Sequence, residues 1–238
     1  MSGPKVEKIS APVSLGEGPH WDHDAETLYY VDIKGPTVHK YVPATNKHTA
    51  VKIDGVHVSL VIPLEGTKDK FVITVGRNVA ILTWDGESST PTDVKYVSAV
   101  DNEKELQGNK LNDGKADPTG RLWTANRRTA FDFEINEVDG FPDGMAIDIE
   151  GKLWVACFGG SQVIRVDPAS GKLLSRIPIP TPQVTSVAFG GPQLDELYVT
   201  SGNILLNEGQ KEAYPESGAT FRVTGLGVKG LPGQPIKL

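Results

Sequence analysis

The sequence contains a single cysteine, Cys157, and therefore cannot form an internal disulfide bond. Such scarcity of cysteine is typical of proteins from a reducing compartment. No run of about 18 apolar residues is present, so we expect no membrane-spanning helix. The formal charge of −6 argues against an anionic membrane as a partner. The first ten residues, MSGPKVEKIS, lack the apolar core of a signal peptide. These absences predict a cytoplasmic protein in which Cys157, inside an apolar strand, is a buried and inert thiol.

Positive charge is also scarce, since 24 lysine and arginine residues face 30 aspartate and glutamate residues. The resulting formal charge of −6 argues against a nucleic-acid partner. The sequence lacks a Gly-x-Ser-x-Gly motif, which leaves a serine-hydrolase mechanism unsupported. Its five histidines show no spacing typical of zinc ligands, although His20 could border a binding site.

The sequence does contain a repeated pattern of short apolar strands and turns. Residues 141–158, FPDGMAIDIEGKLWVACF, combine a Pro-Asp-Gly corner, alternating apolar residues, a glycine turn and a second apolar run. This pattern predicts a β-hairpin. Self-similarity at about 40–50 residues is typical of a β-propeller, in which each repeat forms one four-stranded sheet. We therefore predict an all-β fold with one propeller domain over residues 1–238. Related segments occupy residues 15–32, 58–75, 111–125 and 184–200.

An oxygen-bearing side chain stands at the start of the first strand of each repeat. If these strands line a central channel, the side chains converge at one end, which we call the mouth. Oxygen ligands from several strands would suit a hard divalent cation. The mouth residues are Glu17, Ser59, Asn112, Asp143 and Thr185. Aspartates also recur at later positions of the repeats, where we expect them to stabilise hairpins: Asp22, Asp117 and Asp148.

The spacing of the repeats is irregular at one place. Successive mouth residues are separated by about 42, 53, 31 and 42 residues. The interval of about 31 residues, between Asn112 and Asp143, is too short for a four-stranded blade and its links. We therefore predict about five blade-like units, with a hybrid or incomplete blade around residues 109–140. Either this blade naturally lacks a strand or an internal deletion has fused two blades. Residues 1–14 are expected to supply an edge or closing strand, and residues 225–238 could close the ring.

Six segments carry a family resemblance: GEGPHWD (16–22), LNDGKADPTG (111–120), FPDGMAIDIEGKLWVA (141–156), QVTSVAFGG (183–191), LDELYVTS (194–201) and RVTGLGVKG (222–230). Together they make the chain resemble the gluconolactonase, regucalcin and luciferin-regenerating enzyme family of six-bladed propellers. Two further segments, HKYVP (39–43) and AILTWDG (80–86), are similar to the insect luciferin-regenerating branch. Family members are about sixty residues longer, and the resemblance places the missing segment after Asn126.

The resemblance implies a divalent cation in the channel, held in the family by a Glu, an Asn and an Asp. Glu17 and Asp143 match the two acidic ligands, whereas the segment that carries the Asn is missing. The family's Arg-x-Asn-Asp substrate motif matches residues 110–113, so Lys110, Asn112 and Asp113 are expected to bind substrate. Lysine in place of arginine keeps the charge but loses the bidentate fork. Oxygen ligands favour calcium, with zinc as the other candidate metal.

The activity that the resemblance implies is metal-assisted hydrolysis of a sugar lactone such as gluconolactone. Asp143, the acidic metal ligand of the central repeat, is the candidate general base. We expect a monomer whose partner is a small lactone. The alternatives are a calcium-binding regulatory protein of the regucalcin type, a luciferin-regenerating enzyme and an inactive shortened variant. Glu17 and Asp143 could also serve only to accept hydrogen bonds at strand ends.

Overall fold

The computed structural model describes residues 3–55, 57–100, 111–112, 115–116, 122–123, 131, 133–134 and 136–237. Its strands, in chain order, are β1 Lys5–Lys8, β2 Gly16–Asp22, β3 Thr27–Asp32, β4 Thr37–Val42, β5 Lys47–Lys52, β6 Val58–Pro63, β7 Lys70–Val75, β8 Asn78–Thr83, β9 Asp93–Ala99, β10 Lys115–Ala116, β11 Leu122–Trp123, β12 Phe141–Ile147, β13 Leu153–Phe158, β14 Gln162–Asp167, β15 Lys172–Pro178, β16 Gln183–Gly190, β17 Glu196–Gly202 and β18 Phe221–Thr224. One helix, α1, covers Glu208–Ala213, and a 3₁₀ turn covers Pro43–Thr45. None of the described helices is long and apolar enough to cross a membrane.

The first two blades are complete antiparallel sheets of four strands each. Strands β2 to β5 pair in chain order and form the first blade, and β6 to β9 form the second blade in the same way. Consecutive strands pair because short turns join them, as at Asn46, which adopts the left-handed conformation with φ of 51°. Both blades confirm the strand count that the repeat pattern predicted.

The fourth and fifth blades come from the C-terminal half, with one strand from the N-terminus. The fourth blade consists of β12 to β15. The fifth consists of β16, β17 and β18, and β1 adds to its outer edge by pairing Lys5 with Thr224 and Lys8 with Phe221. The closing strand expected within residues 1–14 is therefore confirmed as β1. In the loop before β18, α1 forms behind a capping box between Asn207 and Gln210.

The third unit contributes only a short hairpin to the described part of the chain. Strands β10 and β11 have two residues each and pair antiparallel, with Lys115 opposite Trp123. Much of the stretch around residues 109–140 lies outside the described residues. The prediction of an incomplete or hybrid blade at this position therefore stays a prediction.

Apolar side chains fill the spaces between neighbouring blades. Tyr29 of the first blade packs against Phe71 of the second, with ring centroids 4.9 Å apart. Trp21 of the first blade stacks on Tyr198 of the fifth at 5.4 Å, and Trp154 of the fourth meets Phe189 of the fifth at 5.7 Å. These contacts pack the fourth, fifth, first and second blades against one another in that order.

The C-terminal tail, residues 225–237, crosses the ends of the inner strands opposite the mouth. There the Ile149 amide donates to the carbonyl of Lys229, and the Ile236 amide donates to the carbonyl of Pro63, both at 3.0 Å. Between these two contacts, Gly233 lies against His20. The tail therefore ties the fourth, first and second blades together across the far end of the inner strands, while the closing strand itself is β1.

Candidate functional site

The first strands of the fourth, fifth and first blades lie side by side at the mouth, with β16 in the middle. Thr185 Oγ1 donates to the carbonyl of Gly16, the residue before Glu17, at 2.6 Å. On its other side, β16 packs so closely on β12 that a Cβ added to Gly144 would overlap the side chain of Ser186. Residues 185–186 therefore lie between the two strands that carry Glu17 and Asp143.

The contacts continue from β2 to the second blade and to the start of the third unit. Gly18 has a φ of +54°, and a Cβ there would lie 3.1 Å from the carbonyl oxygen of Ser59. Ser59 Oγ donates to the carbonyl of Leu111 at 2.7 Å, which places the exposed Asn112 at the same end. One unbroken run of contacts thus joins the predicted mouth positions in the order Asn112, Ser59, Glu17, Thr185 and Asp143.

A β-bulge interrupts the inner strands of the first, second, fourth and fifth blades at the mouth. The register shifts between Glu17 and His20 in β2 and between Pro142 and Met145 in β12. The corresponding shifts in β6 and β16 lie between Val58 and Val61 and between Val184 and Ser186. Bulges re-aim side chains and are common beside active sites. The sequence analysis did not predict them, although Gly18 and Gly144 beside the two carboxylates were a signal for them.

The two carboxylates are sheltered from solvent to different degrees. Glu17 is buried, and its Oε2 accepts a hydrogen bond from the Gly18 amide at 3.2 Å. Asp143 is half-buried at the bulge of β12. Both carboxylates lie at the start of an inner strand, as predicted, and the same end of the molecule holds both.

The hydroxyls of Ser59 and Thr185 have a different role from the one expected. Ser59 Oγ shares a hydrogen bond with Thr74 Oγ1 at 2.8 Å, and Thr185 Oγ1 shares one with Thr200 Oγ1 at 2.9 Å. Both side chains are buried, and their hydroxyls join neighbouring strands through these hydrogen bonds. Glu17, Asn112 and Asp143 remain as candidate ligands of a cation or substrate.

Two residues of the expected substrate motif, Lys110 and Asp113, lie outside the described residues. Asn112 is the member of that motif that the structure places, and it is exposed beside Leu111. The Leu111 amide donates to the carbonyl of Gly76 at 3.0 Å, which holds this part of the chain against the second blade. The roles of Lys110, Asn112 and Asp113 in substrate binding stay predictions.

The donor set at the mouth fits a hard cation that is partly ligated by neutral oxygens. Among the described residues, no cluster of three or more His, Cys, Asp or Glu side chains is arranged to hold a metal. Glu17 and Asp143 supply two carboxylates, and Ser186 Oγ, which lies against Gly144 next to Asp143 in the chain, is buried without a hydrogen-bond partner within the described structure. An all-oxygen set of this kind suits calcium better than a site that needs nitrogen or sulfur ligands.

His20 and Cys157 are not part of this donor set. His20 is buried under the tail, and burial, together with the charge of Lys115, lowers its pKa to about 3. It therefore stays neutral and has a packing role. Burial also raises the pKa of the Cys157 thiol to about 12, which agrees with the inert thiol expected from the sequence.

Comparison with known proteins gives consistent matches along nearly the whole chain. The family described as SMP-30/Gluconolactonase/LRE-like region matches residues 15–126 and 124–203. Regucalcin from Xenopus laevis is 30% identical over 302 aligned positions, which cover 97% of this chain and 98% of the relative. Regucalcin from Danio rerio is 31% identical over 300 positions, with 98% of each protein covered.

Two solved structures resemble the chain closely. A luciferin-regenerating enzyme is 39% identical, with a TM-score of 0.92 over 99% of this chain and 100% of that one. A calcium-binding protein, regucalcin from Agrobacterium tumefaciens, has a TM-score of 0.84 at 21% identity, over 100% of this chain and 98% of that one. These likenesses confirm the predicted β-propeller fold.

The comparisons also agree with the position of the missing segment. The two matched stretches of the family adjoin at residues 124–126, where the spacing of the repeats and the resemblance placed the shortfall. The alignment with Xenopus regucalcin has 302 positions, more than the 238 residues of this chain, so the relative contains residues that this chain lacks. On this evidence, the chain belongs to the SMP-30/gluconolactonase/LRE-like family of β-propellers.

Proposed function

We propose that the chain is a lactone hydrolase that depends on a divalent cation and acts on a sugar lactone of the gluconolactone type. The observation that carries this proposal is the run of contacts through Thr185 and Ser186, which gathers the strands of Glu17 and Asp143 at one mouth. Membership in a family that includes gluconolactonases supports the reaction class. The calcium-binding description of the Agrobacterium regucalcin supports a cation of this kind.

The candidate ligands at the mouth and the neighbouring substrate motif each have a role in this proposal. Glu17 and Asp143 would hold the cation, which would polarise the lactone carbonyl and lower the pKa of a water molecule. Asp143 accepts a proton from the attacking water as that water bonds to the acyl carbon. The bond between the acyl carbon and the ring oxygen then breaks, and the ring oxygen takes up a proton to give the open hydroxy acid. Asn112, with Lys110 and Asp113, binds the sugar hydroxyls.

The test measures hydrolysis of glucono-1,5-lactone by proton release, after chelation and then with added calcium or zinc. We expect cation-dependent turnover by the wild-type chain, and loss of turnover of about 10²-fold or more in Asp143→Asn, since general bases contribute roughly that much. Asp22→Asn is the matched control, because Asp22 lies at the other end of β2 and accepts hydrogen bonds from the turn amides of Asp24 and Ala25. Wild-type turnover by Asp143→Asn would refute the assignment.

A second candidate function is cation binding without important catalysis, of the regucalcin type. It is favoured by the several curated relatives named regucalcin, which match nearly the full chain. Under this alternative, calcium binds at Glu17 and Asp143, and the lactone is not hydrolysed faster than in buffer. Calorimetric titration with calcium chloride beside the turnover assay separates the two candidates.

The likeness to the luciferin-regenerating enzyme raises the question of substrate within the hydrolytic proposal. Nothing among the described mouth residues selects an oxidised luciferin product over a sugar lactone. Turnover of both compounds by the same preparation, compared as kcat/KM, would rank them. Inactivity toward both, combined with loss of defined tertiary structure, would favour the inactive shortened variant.

A further inference from the structure

Ser186 carries a buried polar atom that the fold does not use. Four buried side-chain atoms lack a hydrogen-bond partner within the described structure: Trp21 Nε1, Ser186 Oγ, Thr220 Oγ1 and Arg222 Nε. Of these, Ser186 Oγ is the one that lies at the mouth, against Gly144. A buried hydroxyl without a partner is unfavourable, so its retention needs a physical explanation.

The neighbouring residue shows that hydroxyls at this position of β16 can be satisfied. Thr185 Oγ1 donates to Gly16 O on one side and contacts Thr200 Oγ1 on the other. Ser186 lies on the opposite side of the strand, toward the bulge that carries Asp143. Its hydroxyl therefore lies against Gly144, the residue after Asp143 in the bulge, where the fold provides no partner within the described part of the chain.

The other groups available at the proposed cation site indicate what the Ser186 hydroxyl could do there. Within the described residues, no third carboxylate, histidine or cysteine joins Glu17 and Asp143. Among the described residues, neutral groups are then left to position ligands and their water molecules, and Ser186 Oγ is a neutral oxygen that can donate or accept. Hydrogen bonds from such outer groups orient metal ligands and tune affinity.

We propose that Ser186 is a positioning residue of the cation site, whose hydroxyl finds its hydrogen-bond partner in the bound cation's water molecules or in the carboxylate of Asp143. This inference rests on the cation site of the proposed function and adds a residue to it. It requires that the Ser186 hydroxyl contribute to cation binding and little to the stability of the fold itself.

A pair of serine substitutions separates these two contributions. Ser186→Ala removes a hydroxyl without a partner in the described structure. The matched control, Ser201→Ala, removes one that donates to Ala219 O at 2.6 Å and accepts from the Gly218 amide at 3.0 Å. Both serines are fully buried and lie in the fifth blade. The experiment measures calcium and zinc affinity by calorimetry, and the melting temperature with EDTA and with saturating cation.

We expect Ser186→Ala to bind the cation roughly tenfold more weakly, in the range seen for outer-shell partners of metal sites. Its melting temperature in EDTA should equal or exceed that of the wild type, while the rise caused by the cation should shrink. Ser201→Ala should show the reverse: a lower melting temperature in EDTA and unchanged affinity. Wild-type affinity in Ser186→Ala would overturn the inference, as would a loss of stability in EDTA equal to that of Ser201→Ala.

The outcome also distinguishes this inference from the proposed function. If Ser186→Ala weakens cation binding but the wild type hydrolyses no lactone, the positioning role stands and the hydrolase proposal fails. If Asp143→Asn abolishes binding while Ser186→Ala does not alter it, the cation site stands and the role of Ser186 fails. If the wild type binds neither calcium nor zinc, both are overturned.

Discussion

Removal of the Asp148 carboxylate should lower the melting temperature of the protein and leave the residues at the mouth unchanged. Asp148 lies at the far end of β12 and is buried, with a relative exposure of 1%. Its Oδ1 accepts from the amides of Glu150 and Lys152, both at 2.9 Å. Its Oδ2 accepts from Trp154 Nε1 at 2.9 Å and from Arg165 Nε at 2.8 Å. One carboxylate thus holds a turn, an indole and a guanidinium in place.

The magnitude follows from what Asp148→Ala would leave behind. The buried indole N–H of Trp154 would lose its partner, at a cost of about 1–3 kcal/mol. Arg165, which is largely buried, would keep its contact with Glu150 and its position over the Trp154 ring but would lose its buried carboxylate partner. Breaking a buried ion pair from one side typically costs about 3–5 kcal/mol. For a chain of this size, 1 kcal/mol corresponds to roughly 2–4 °C, so we expect the melting temperature to fall by at least roughly 10 °C.

The assay compares thermal unfolding of wild type, Asp148→Ala and Asp148→Asn, followed by near-UV circular dichroism. Asp148→Asn keeps one acceptor oxygen and should lose less stability. Asp143→Asn, a carboxylate change on the same strand, should reduce turnover and leave the melting temperature within a few degrees. If Asp148→Ala melts with the wild type, or if it abolishes turnover at full stability, the assignment of Asp148 to structure and Asp143 to chemistry is refuted.

The pH dependence of this effect has a definite sign. Burial acts to raise the pKa of Asp148, but hydrogen bonds from the Lys152 amide, the Trp154 indole and the Arg165 side chain outweigh it and lower the pKa. The folded state therefore binds a proton less readily than the unfolded chain, whose aspartate pKa is about 3.9. The contribution of Asp148 is fully present above that value and is lost as pH falls through the folded pKa. The stability difference from Asp148→Asn should shrink accordingly in acid.

Two further predictions concern Gly144 and Cys157. Gly144→Ala should lower the melting temperature and weaken cation binding, because the added Cβ would overlap Ser186. Thermal unfolding and calorimetry measure these two effects. Wild-type values of both would contradict the close packing of β12 on β16. Cys157 should react with a thiol reagent at neutral pH only after unfolding, because it is buried and burial raises its pKa to about 12. Absorbance assays with and without guanidinium measure the rate of labelling. Rapid labelling of the native chain would contradict the prediction.

The repeat pattern predicted the blades well because strand pairing within a blade is local. Alternating apolar residues and turn glycines specify each hairpin, and the register follows from the turn. The aspartates Asp22 and Asp148 were also predicted correctly as structural, since a carboxylate beside a tight turn accepts the amides of that turn. Asp117, the third of this set, lies outside the described residues.

The bulges and the roles of some mouth residues could not be predicted from the sequence, because they depend on contacts between blades. The bulges at Glu17 and Asp143 arise where an inner strand meets its neighbours, and no pattern within one repeat encodes them. Likewise, Ser59 and Thr185 were grouped with the ligands because each begins a repeat. Their hydroxyls bond to other strands, which only the three-dimensional arrangement of the blades reveals.

The missing segment need not disable the cation site. The strands that carry Glu17 and Asp143 are held in place by contacts among the fourth, fifth and first blades. The fourth and fifth blades share a core that includes Trp154 and Phe189, and the first and fifth share the stacked pair Trp21 and Tyr198. The strands of Glu17 and Asp143 belong to this continuous block, whereas the shortfall lies after Asn126, between the second and fourth blades. A shortened chain can therefore keep both carboxylates in register while losing the neutral ligand that the family resemblance places in the missing residues. Weaker cation binding at an otherwise intact mouth is the expected physical consequence.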